Sequence, residues 1–219
     1  MLSADICANM SAMNNQSARI IKFIAERGYR RSVLIDTPPT VPIALFQRQK
    51  EMLEYVFDID TPLGVIFKTR DVGASTVLAA AAVTYCAENP NSRIGFSGRG
   101  VTLNLIEPAC TFILHAGLHA QVDNRLGHIV FGNGSVIYTE DTDAIGKDES
   151  SCDFYIVDEA FFTRQRAALP NVRRTILCSS GWREPLVDDT FRFSYKDDPR
   201  KGDAWLENMT RHAHPGEII

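Results

Sequence analysis

The sequence predicts an α/β fold in which helices flank a mostly parallel central sheet. Apolar β-type runs alternate with helical segments, and this alternation favours a parallel sheet with right-handed crossovers. A strand at 63–68 is followed by a short polar loop and an Ala-rich helix at 75–88. Another apolar strand, at 153–158, ends in two adjacent carboxylates. Both strands would deliver polar groups to the carboxyl edge of the sheet, where ligands of such folds bind.

Hydrophobic periodicity and turn residues predict the remaining elements. A helix is expected from about Ser17 to Arg27, after a weakly ordered start, and it stops near Gly28. The other expected elements are a linker at 37–39, a helix at 45–57, a strand at 92–97, a helix at 101–117, a β-hairpin at 129–138, a mobile polar loop at 141–151 and a strand at 173–179.

Length and composition predict one α/β domain with a small appended segment. The 219 residues are 45% hydrophobic, and the formal net charge is −4, so no global basic field would attract DNA. Any DNA contact must come from a local patch or from an oligomeric ring. Four arginines after the second motif are expected to form a solvated basic surface: Arg164, Arg166, Arg173 and Arg174. The five cysteines lack zinc spacing and suit a reducing cytoplasm, and no signal peptide or membrane-spanning run is found.

The loop after the first strand has the layout of a phosphate-binding P-loop. The usual form is G-x-x-x-x-G-K-[ST], but Ala74 stands at the lysine position and Lys68 at that of the first glycine. Because a P-loop folds around the β-phosphate, both its ends lie near the phosphates, so Lys68 or Arg70 could supply the charge. Ser75 could place its hydroxyl on Mg²⁺. Alternatively, Gly73 only permits a turn and Lys68 is a solvated charge.

The carboxylates Asp158 and Glu159 form the second motif. Asp158 can hold Mg²⁺ through a water, and Glu159 can orient and deprotonate an attacking water. The alternative is an acidic N-cap of the following helix. A later strand ends in Ser179, Ser180 and Gly181. Its hydroxyl pair could sense a γ-phosphate, whereas the simpler interpretation is an ordinary Ser-Gly turn.

Together these motifs resemble the N-terminal ATPase domain of the large terminase subunit of tailed bacteriophages, over roughly residues 40 to 210. The loop 68–75 fits the family's variant Walker A form, K-x-R-x-x-G-x-S, in which the lysine is displaced. Asp158 and Glu159 match its Walker B motif and catalytic glutamate. Gln49, with Gln47 as the alternative, matches the adenine-reading glutamine of the family.

The resemblance implies a P-loop ATPase of the RecA/ASCE type with a small N-terminal helical subdomain. The expected divisions are a helical or partly ordered segment at 1–40, the ATPase domain at 41–210 and the start of a linker or tail at 211–219. The implied nucleotide-binding residues are Gln49, Lys68, Thr69, Arg70, Asp71, Val72, Gly73, Ala74, Ser75 and Thr76. The implied catalytic residues are Glu159, Lys68 and Arg70; Ser75 and Asp158 would bind Mg²⁺, and Ser179, Ser180 and Gly181 would form the coupling motif, usually Ser/Thr-Thr-Pro in the family.

The resemblance also implies a function, that of an Mg²⁺-dependent ATPase driving viral DNA packaging. The implied partners are double-stranded DNA, the small terminase subunit, the portal protein and further copies in a ring, in the host cytoplasm and without a membrane. No nuclease activity is expected, because the family's nuclease carboxylates are not found in this chain. A helicase-like DNA translocase and a non-catalytic nucleotide-binding scaffold are the alternatives.

Overall fold

A computed structural model of the chain describes residues 4–31, 40–58, 60–69, 71–98, 101–123, 127–139, 152–160, 171–180 and 189–212. The helices are α1 (Ala4–Arg27), α2 (Gln47–Val56), α3 (Ala74–Glu88), α4 (Glu107–Ala116) and α5 (Asp203–His212), with a π-helical turn at Thr102–Ile106 and a 3-10 turn at Tyr195–Asp197. The strands are β1 (Tyr29–Arg31), β2 (Thr40–Pro42), β3 (Leu63–Lys68), β4 (Arg93–Gly98), β5 (Ala120–Asp123), β6 (His128–Phe131), β7 (Val136–Thr139), β8 (Cys152–Asp158), β9 (Val172–Ser179) and β10 (Thr190–Phe193).

Eight strands form one sheet in the order β10-β3-β9-β8-β4-β7-β6-β5. Neighbours from β10 to β7 pair in parallel, and β5 and β6 add an antiparallel edge. This arrangement confirms the predicted α/β class with a mostly parallel sheet. It also brings the carboxyl ends of β3, β4, β8, β9 and β10 to one edge.

The two faces of the sheet bury separate apolar clusters because strand side chains alternate in direction. On β3, Ile66 belongs to the main cluster, which includes α3 residues, and Val65 belongs to a smaller cluster on the other face. Helix α3 is apolar on nearly all sides, and Ala79, Ala80 and Val83 are at most 1% exposed. A helix of this composition is stable only when it is enclosed, and α3 directly follows the predicted phosphate loop.

The N-terminal helix packs on the main core. Ile20 and Ile24 are fully buried in the cluster that contains α3, and Arg19 lies 3.3 Å from Glu88 at the end of that helix. The helix begins at Ala4, earlier than the predicted start at Ser17. The domain boundaries at residues 40 and 210 stay predictions. No helix in the described part of the chain is both long and apolar enough to cross a bilayer.

Several elements differ from the sequence predictions. The short strands β1, β2, β5 and β10 were not predicted, and the predicted helix 101–117 is divided into a π-helical turn and α4. The predicted linker at 37–39 and the predicted mobile loop at 141–151 lie outside the described residues.

The prediction of a solvated surface is wrong for Arg174. Its side chain is fully buried, and its guanidinium donates to the carbonyl oxygens of Thr61 (2.6 Å) and Tyr55 (2.8 Å). Arg174 therefore binds carbonyl groups at the end of α2 and in the turn before β3. Its neighbour Arg173 is exposed as predicted, and Arg164 and Arg166 lie outside the described residues.

Candidate active site

The backbone turns tightly in the loop between β3 and α3, which is the predicted phosphate loop. Asp71 and Gly73 both have positive φ, at 59° and 75°. The amide of Thr69 donates to the carbonyl oxygen of Phe193 on β10 (2.9 Å), which fixes the start of the loop. Helix α3 then begins at Ala74, so its first N–H groups point toward the carboxyl edge of the sheet. Arg70 lies outside the described residues.

Lys68 is buried between the two carboxylates of the second motif. Its Nζ lies 2.8 Å from Glu159 Oε1 and 4.0 Å from Asp158 Oδ1. Burial on its own would lower the pKa of Lys68, but the neighbouring acidic groups Cys178, Asp158 and Glu159 outweigh burial and raise it. The ammonium is thus charged at neutral pH, and the interpretation of Lys68 as a solvated strand-end charge is wrong.

Asp158 and Ser75 together offer oxygen atoms to a cation. The Asp158 carboxylate is fully buried, and Ser75 Oγ donates to it at 3.1 and 3.2 Å. Burial raises the pKa of Asp158, and Lys68, Ser75 and Asn104 oppose that rise. A hydroxyl and a carboxylate suit a hard ion such as Mg²⁺, which takes few protein ligands beside phosphates and waters. Among the described residues, no three His, Cys, Asp or Glu side chains group to hold a metal alone.

Glu159 is held by both serines of the predicted coupling motif. Its Oε2 accepts hydrogen bonds from Ser180 Oγ (2.9 Å), the Ser180 amide (3.1 Å) and Ser179 Oγ (3.4 Å). Burial favours the protonated acid, but Lys68 and Ser180 outweigh it and lower the pKa of Glu159. Its φ of 52° is uncommon for a non-glycine residue and is typical of functional sites. Gly181 lies outside the described residues.

Gln49 contacts the predicted phosphate loop. The residue is 4% exposed, and its Nε2 donates to the carbonyl oxygen of Val72 at 3.1 Å. Its Oε1 accepts from the amide of Phe46 at 3.4 Å. The alternative reader Gln47 is exposed and donates to Glu51. The adenine-reading role of Gln49 stays a prediction, since both ends of its amide are engaged within the protein.

Comparison with known proteins identifies the fold. No protein-family model matches the chain, and no curated protein matches it in sequence. Several solved structures are similar. The large terminase of a thermophilic bacteriophage, in complex with ATP-γ-S, aligns with a TM-score of 0.58 at 14% identity, over 78% of this chain and 50% of that chain. The HK97 bacteriophage large terminase aligns with a TM-score of 0.55 at 16% identity, over 75% and 37%. The ATPase domain of the Thermus phage P74-26 large terminase aligns with a TM-score of 0.56 at 14% identity, over 76% and 88%.

The chain has the fold of a large terminase ATPase domain. The predicted resemblance and fold class are therefore confirmed. The identities are low, so the similarity concerns the fold alone. The chain spans about half the length of the thermophilic-phage terminase and a smaller share of the HK97 protein.

Sequence reasoning missed two residues at the site of this terminase-type fold. Asn104, in the π-helical turn before α4, is near enough to Asp158 to oppose the rise in the pKa of that carboxyl. Lys201 lies near Asp71 of the predicted phosphate loop and packs on Trp205, with Nζ 3.8 Å from the ring centroid. No motif marks Asn104, whereas the basic and aromatic residues at 195–205 were a usable signal for Lys201.

Proposed function

We propose that this chain is the ATP-hydrolysing motor domain of a viral DNA-packaging terminase, which couples hydrolysis to movement of double-stranded DNA into a procapsid. One observation carries the proposal. Four side chains with complementary roles meet at the carboxyl edge of a terminase-type fold: Lys68, Ser75, Asp158 and Glu159. The thermophilic-phage terminase, which shares this fold, was solved in complex with ATP-γ-S, and that supports a nucleotide as the ligand.

The phosphates would lie in the loop between β3 and α3. Backbone N–H groups of the loop and the start of α3 supply anion binding. Lys68 supplies a cation from the loop's start, in place of the lysine that position 74 lacks. Lys68→Ala should abolish hydrolysis and weaken ATP binding. Arg70→Ala is the comparison, because Arg70 is the other cation in the loop.

The hydrolytic step needs a base and a cation near the γ-phosphate. Ser75 and Asp158 would hold Mg²⁺, which supplies positive charge to the phosphate oxygens. Glu159 would orient the attacking water and accept its proton. Its lowered pKa keeps it in the carboxylate form that a base requires. A glutamate in this place also favours a hydrolase over a scaffold, since a pure binding module needs no base.

Ser179 and Ser180 are the proposed link that couples ATP hydrolysis to movement of DNA. Both bond to Glu159 and both lie at the end of β9, which pairs directly with β3 and β8. A change in the position of Glu159 would therefore be transmitted to β9. Double-stranded DNA, the small terminase subunit and the portal protein are the proposed partners, with several copies forming a ring in the host cytoplasm.

The test is hydrolysis of ATP by the full chain at high protein concentration, with Mg²⁺ and with or without double-stranded DNA. Wild type should hydrolyse ATP, and Glu159→Gln should retain ATP binding but lower turnover about 100-fold or more. Binding of ATP without hydrolysis under all conditions would support the scaffold instead. Stimulation by single-stranded but not double-stranded DNA would support a helicase-like translocase.

A further inference from the structure

Two elements, α2 and β10, hold the two ends of the predicted phosphate loop. At its start, the amide of Thr69 donates to the carbonyl oxygen of Phe193 on β10 at 2.9 Å. Near its end, Gln49 on α2 donates from Nε2 to the carbonyl oxygen of Val72 at 3.1 Å. The distance between Thr69 and Val72 therefore depends on how α2 and β10 are placed relative to each other.

The side chain of Arg48 joins α2 to β10. Its Nε and Nη2 donate to the carbonyl oxygen of Arg192 on β10 at 3.1 and 2.6 Å, and its Cζ lies 4.1 Å from the centroid of the Phe191 ring. Its Nη1 donates to Glu51 Oε2 on α2 at 2.8 Å, which orients the guanidinium. The strand β10 is the terminal strand of the described sheet, so its outer carbonyls lack the partner that a further strand would supply. Arg48 gives one of them a charged donor, and hydrogen bonds from charged donors are stronger than neutral ones.

We propose that Arg48 is a positioning residue that fixes the spacing of the two ends of the predicted phosphate loop, and so prepares the loop to bind the phosphates of a nucleotide. The inference rests on the proposed function. Arg48 directly precedes Gln49, and Arg192 directly precedes Phe193. The contact between Arg48 and Arg192 thus lies beside both residues that hold the loop. A loop whose ends are already held loses less conformational freedom on binding, so the same phosphate contacts give a higher affinity.

A second contact joins the same two elements farther from the loop. The Tyr55 hydroxyl donates to the carbonyl oxygen of Asp189, just before β10, at 2.7 Å and accepts from the Val65 amide on β3 at 2.8 Å. Tyr55 lies seven residues after Arg48, about two helical turns along the same face of α2. Tyr55→Phe is therefore the matched control, since it removes a contact between α2 and β10 that does not lie beside the residues holding the loop.

The first experiment measures amide hydrogen exchange by NMR in the unliganded full chain and compares Thr69 with Val65 within each variant. Arg48→Met keeps an unbranched side chain against Phe191 but has no donor, so exchange at Thr69 should accelerate about tenfold and exchange at Val65 less than about twofold. Tyr55→Phe removes the acceptor of the Val65 amide, so the order should be reversed. Because both amides are measured in one sample, a general loss of stability does not produce opposite orders.

The second experiment is a calorimetric titration of the same variants with ADP and with GDP, both in the presence of Mg²⁺. Arg48→Met should weaken the binding of both nucleotides equally, by about fivefold to tenfold, because the phosphates are common to both. Tyr55→Phe should change both affinities by less than about twofold.

The inference is overturned if Arg48→Met leaves exchange at Thr69 unchanged, or if it accelerates exchange at Thr69 and Val65 alike. It is also overturned if Arg48→Met weakens ADP but not GDP, since Arg48 would then act on the base. Equal loss of nucleotide affinity in Tyr55→Phe would overturn it too, because any loosening of α2 would then suffice. If wild type binds neither nucleotide, the proposed function fails, while the exchange rates still decide whether Arg48 holds the loop.

Discussion

Lys68 Nζ lies 2.8 Å from Glu159 Oε1, so the proposed phosphate-binding cation and the proposed general base form an ion pair. The side chains are 9% and 16% exposed, which protects the pair from screening by solvent. A phosphate that draws Lys68 toward itself must compete with Glu159 for the same ammonium. Nucleotide binding would then loosen Glu159 at the moment when its carboxylate is needed to act on water.

The first prediction concerns the strength of ATP binding by Glu159→Gln. The amide can still bond to Ser180 but no longer holds Lys68 by charge, so the ammonium is freer to reach a phosphate. We expect ATP to bind about threefold to tenfold more tightly than to wild type, or roughly 1 kcal/mol, measured by calorimetry. Ser180→Ala, which keeps the ion pair, is the control and should show no gain. Weaker ATP binding by Glu159→Gln than by wild type would contradict the inference that Glu159 and the phosphates compete for Lys68.

The second prediction separates two roles for Gln49. If Gln49 reads adenine, Gln49→Ala should weaken ATP more than GTP and erase base preference. If its bond to the Val72 carbonyl stabilises the phosphate loop, the variant should lose affinity for both nucleotides equally. The structure favours the second outcome, because the amide is buried and engaged at both ends. Competition binding with ATP and GTP decides it, and Gln47→Ala, at an exposed side chain that bonds to Glu51, is the control.

The third prediction concerns the close contact between β4 and β8. Gly98 has φ of 121°, and an added Cβ would overlap the Asp158 carbonyl oxygen. Gly98→Ala must force the strands apart, so its free energy of unfolding should fall by about 3 kcal/mol or more. Chemical denaturation measures this. At Gly132 an added Cβ would meet no other part of the protein within 4 Å, so Gly132→Ala should change the free energy of unfolding by less than about 0.5 kcal/mol. Equal stability of the two variants would rule out the close contact.

The fourth prediction concerns the reactivity of Lys201. Burial, aided by the neighbouring Arg200, lowers the pKa of Lys201 to about 8 against the attraction of Asp71 and Asp198. About half of its amine is then neutral and nucleophilic at pH 8. An amine-acylating reagent at that pH should label Lys201 faster than Lys22, although the Lys22 side chain is 75% exposed. Peptide mass spectrometry measures the two rates, and slower labelling of Lys201 would contradict the lowered pKa.

The lowered pKa of Lys201 also determines how its contribution to the free energy of unfolding changes with pH. In the unfolded chain the ordinary value is 10.5, so between about pH 8 and 10.5 the unfolded state binds more protons than the folded state. The contribution of Lys201 to the free energy of unfolding therefore rises with pH across this window. Below about pH 8 both states are protonated, and the contribution is a constant cost. Lys201→Met should remove this part of the pH dependence.

Strong local sequence signals were sufficient to predict several elements of the fold. The apolar run at 63–68, the polar loop and the Ala-rich run that follows predicted the β3–loop–α3 unit to within one residue. The acidic pair at the end of β8 was expected at the same edge of the sheet, where it contacts Lys68 and Ser75. By contrast, β5 and β10 are four residues each, and β5 is largely exposed, so neither shows a usable period of two. Pairing with neighbouring strands, which sequence periodicity does not reveal, stabilises them.

Two residues show why the rest required three-dimensional information. Arg173 and Arg174 are adjacent on β9, and alternation requires that they face opposite sides of the sheet. Which of the two is buried depends on the carbonyl oxygens of Thr61 and Tyr55. These groups are distant in sequence and accept hydrogen bonds from Arg174. Similarly, the predicted helix 101–117 changes register in the π-helical turn Thr102–Ile106, just before Pro108. The sequence contains Pro108, but the direction in which the helix adjusts is set by packing.

The position of β3 in the sheet has a consequence for synthesis of the protein on the ribosome. Both of its neighbours come late in the chain, since β9 begins at Val172 and β10 at Thr190. At about 5–20 residues per second, the newly made β3 must wait roughly 5 to 25 s with both hydrogen-bonding edges unpaired. The nascent chain would then acquire affinity for a nucleotide only after Phe193 has emerged, and until that time β3 is exposed to mispairing and to capture by chaperones.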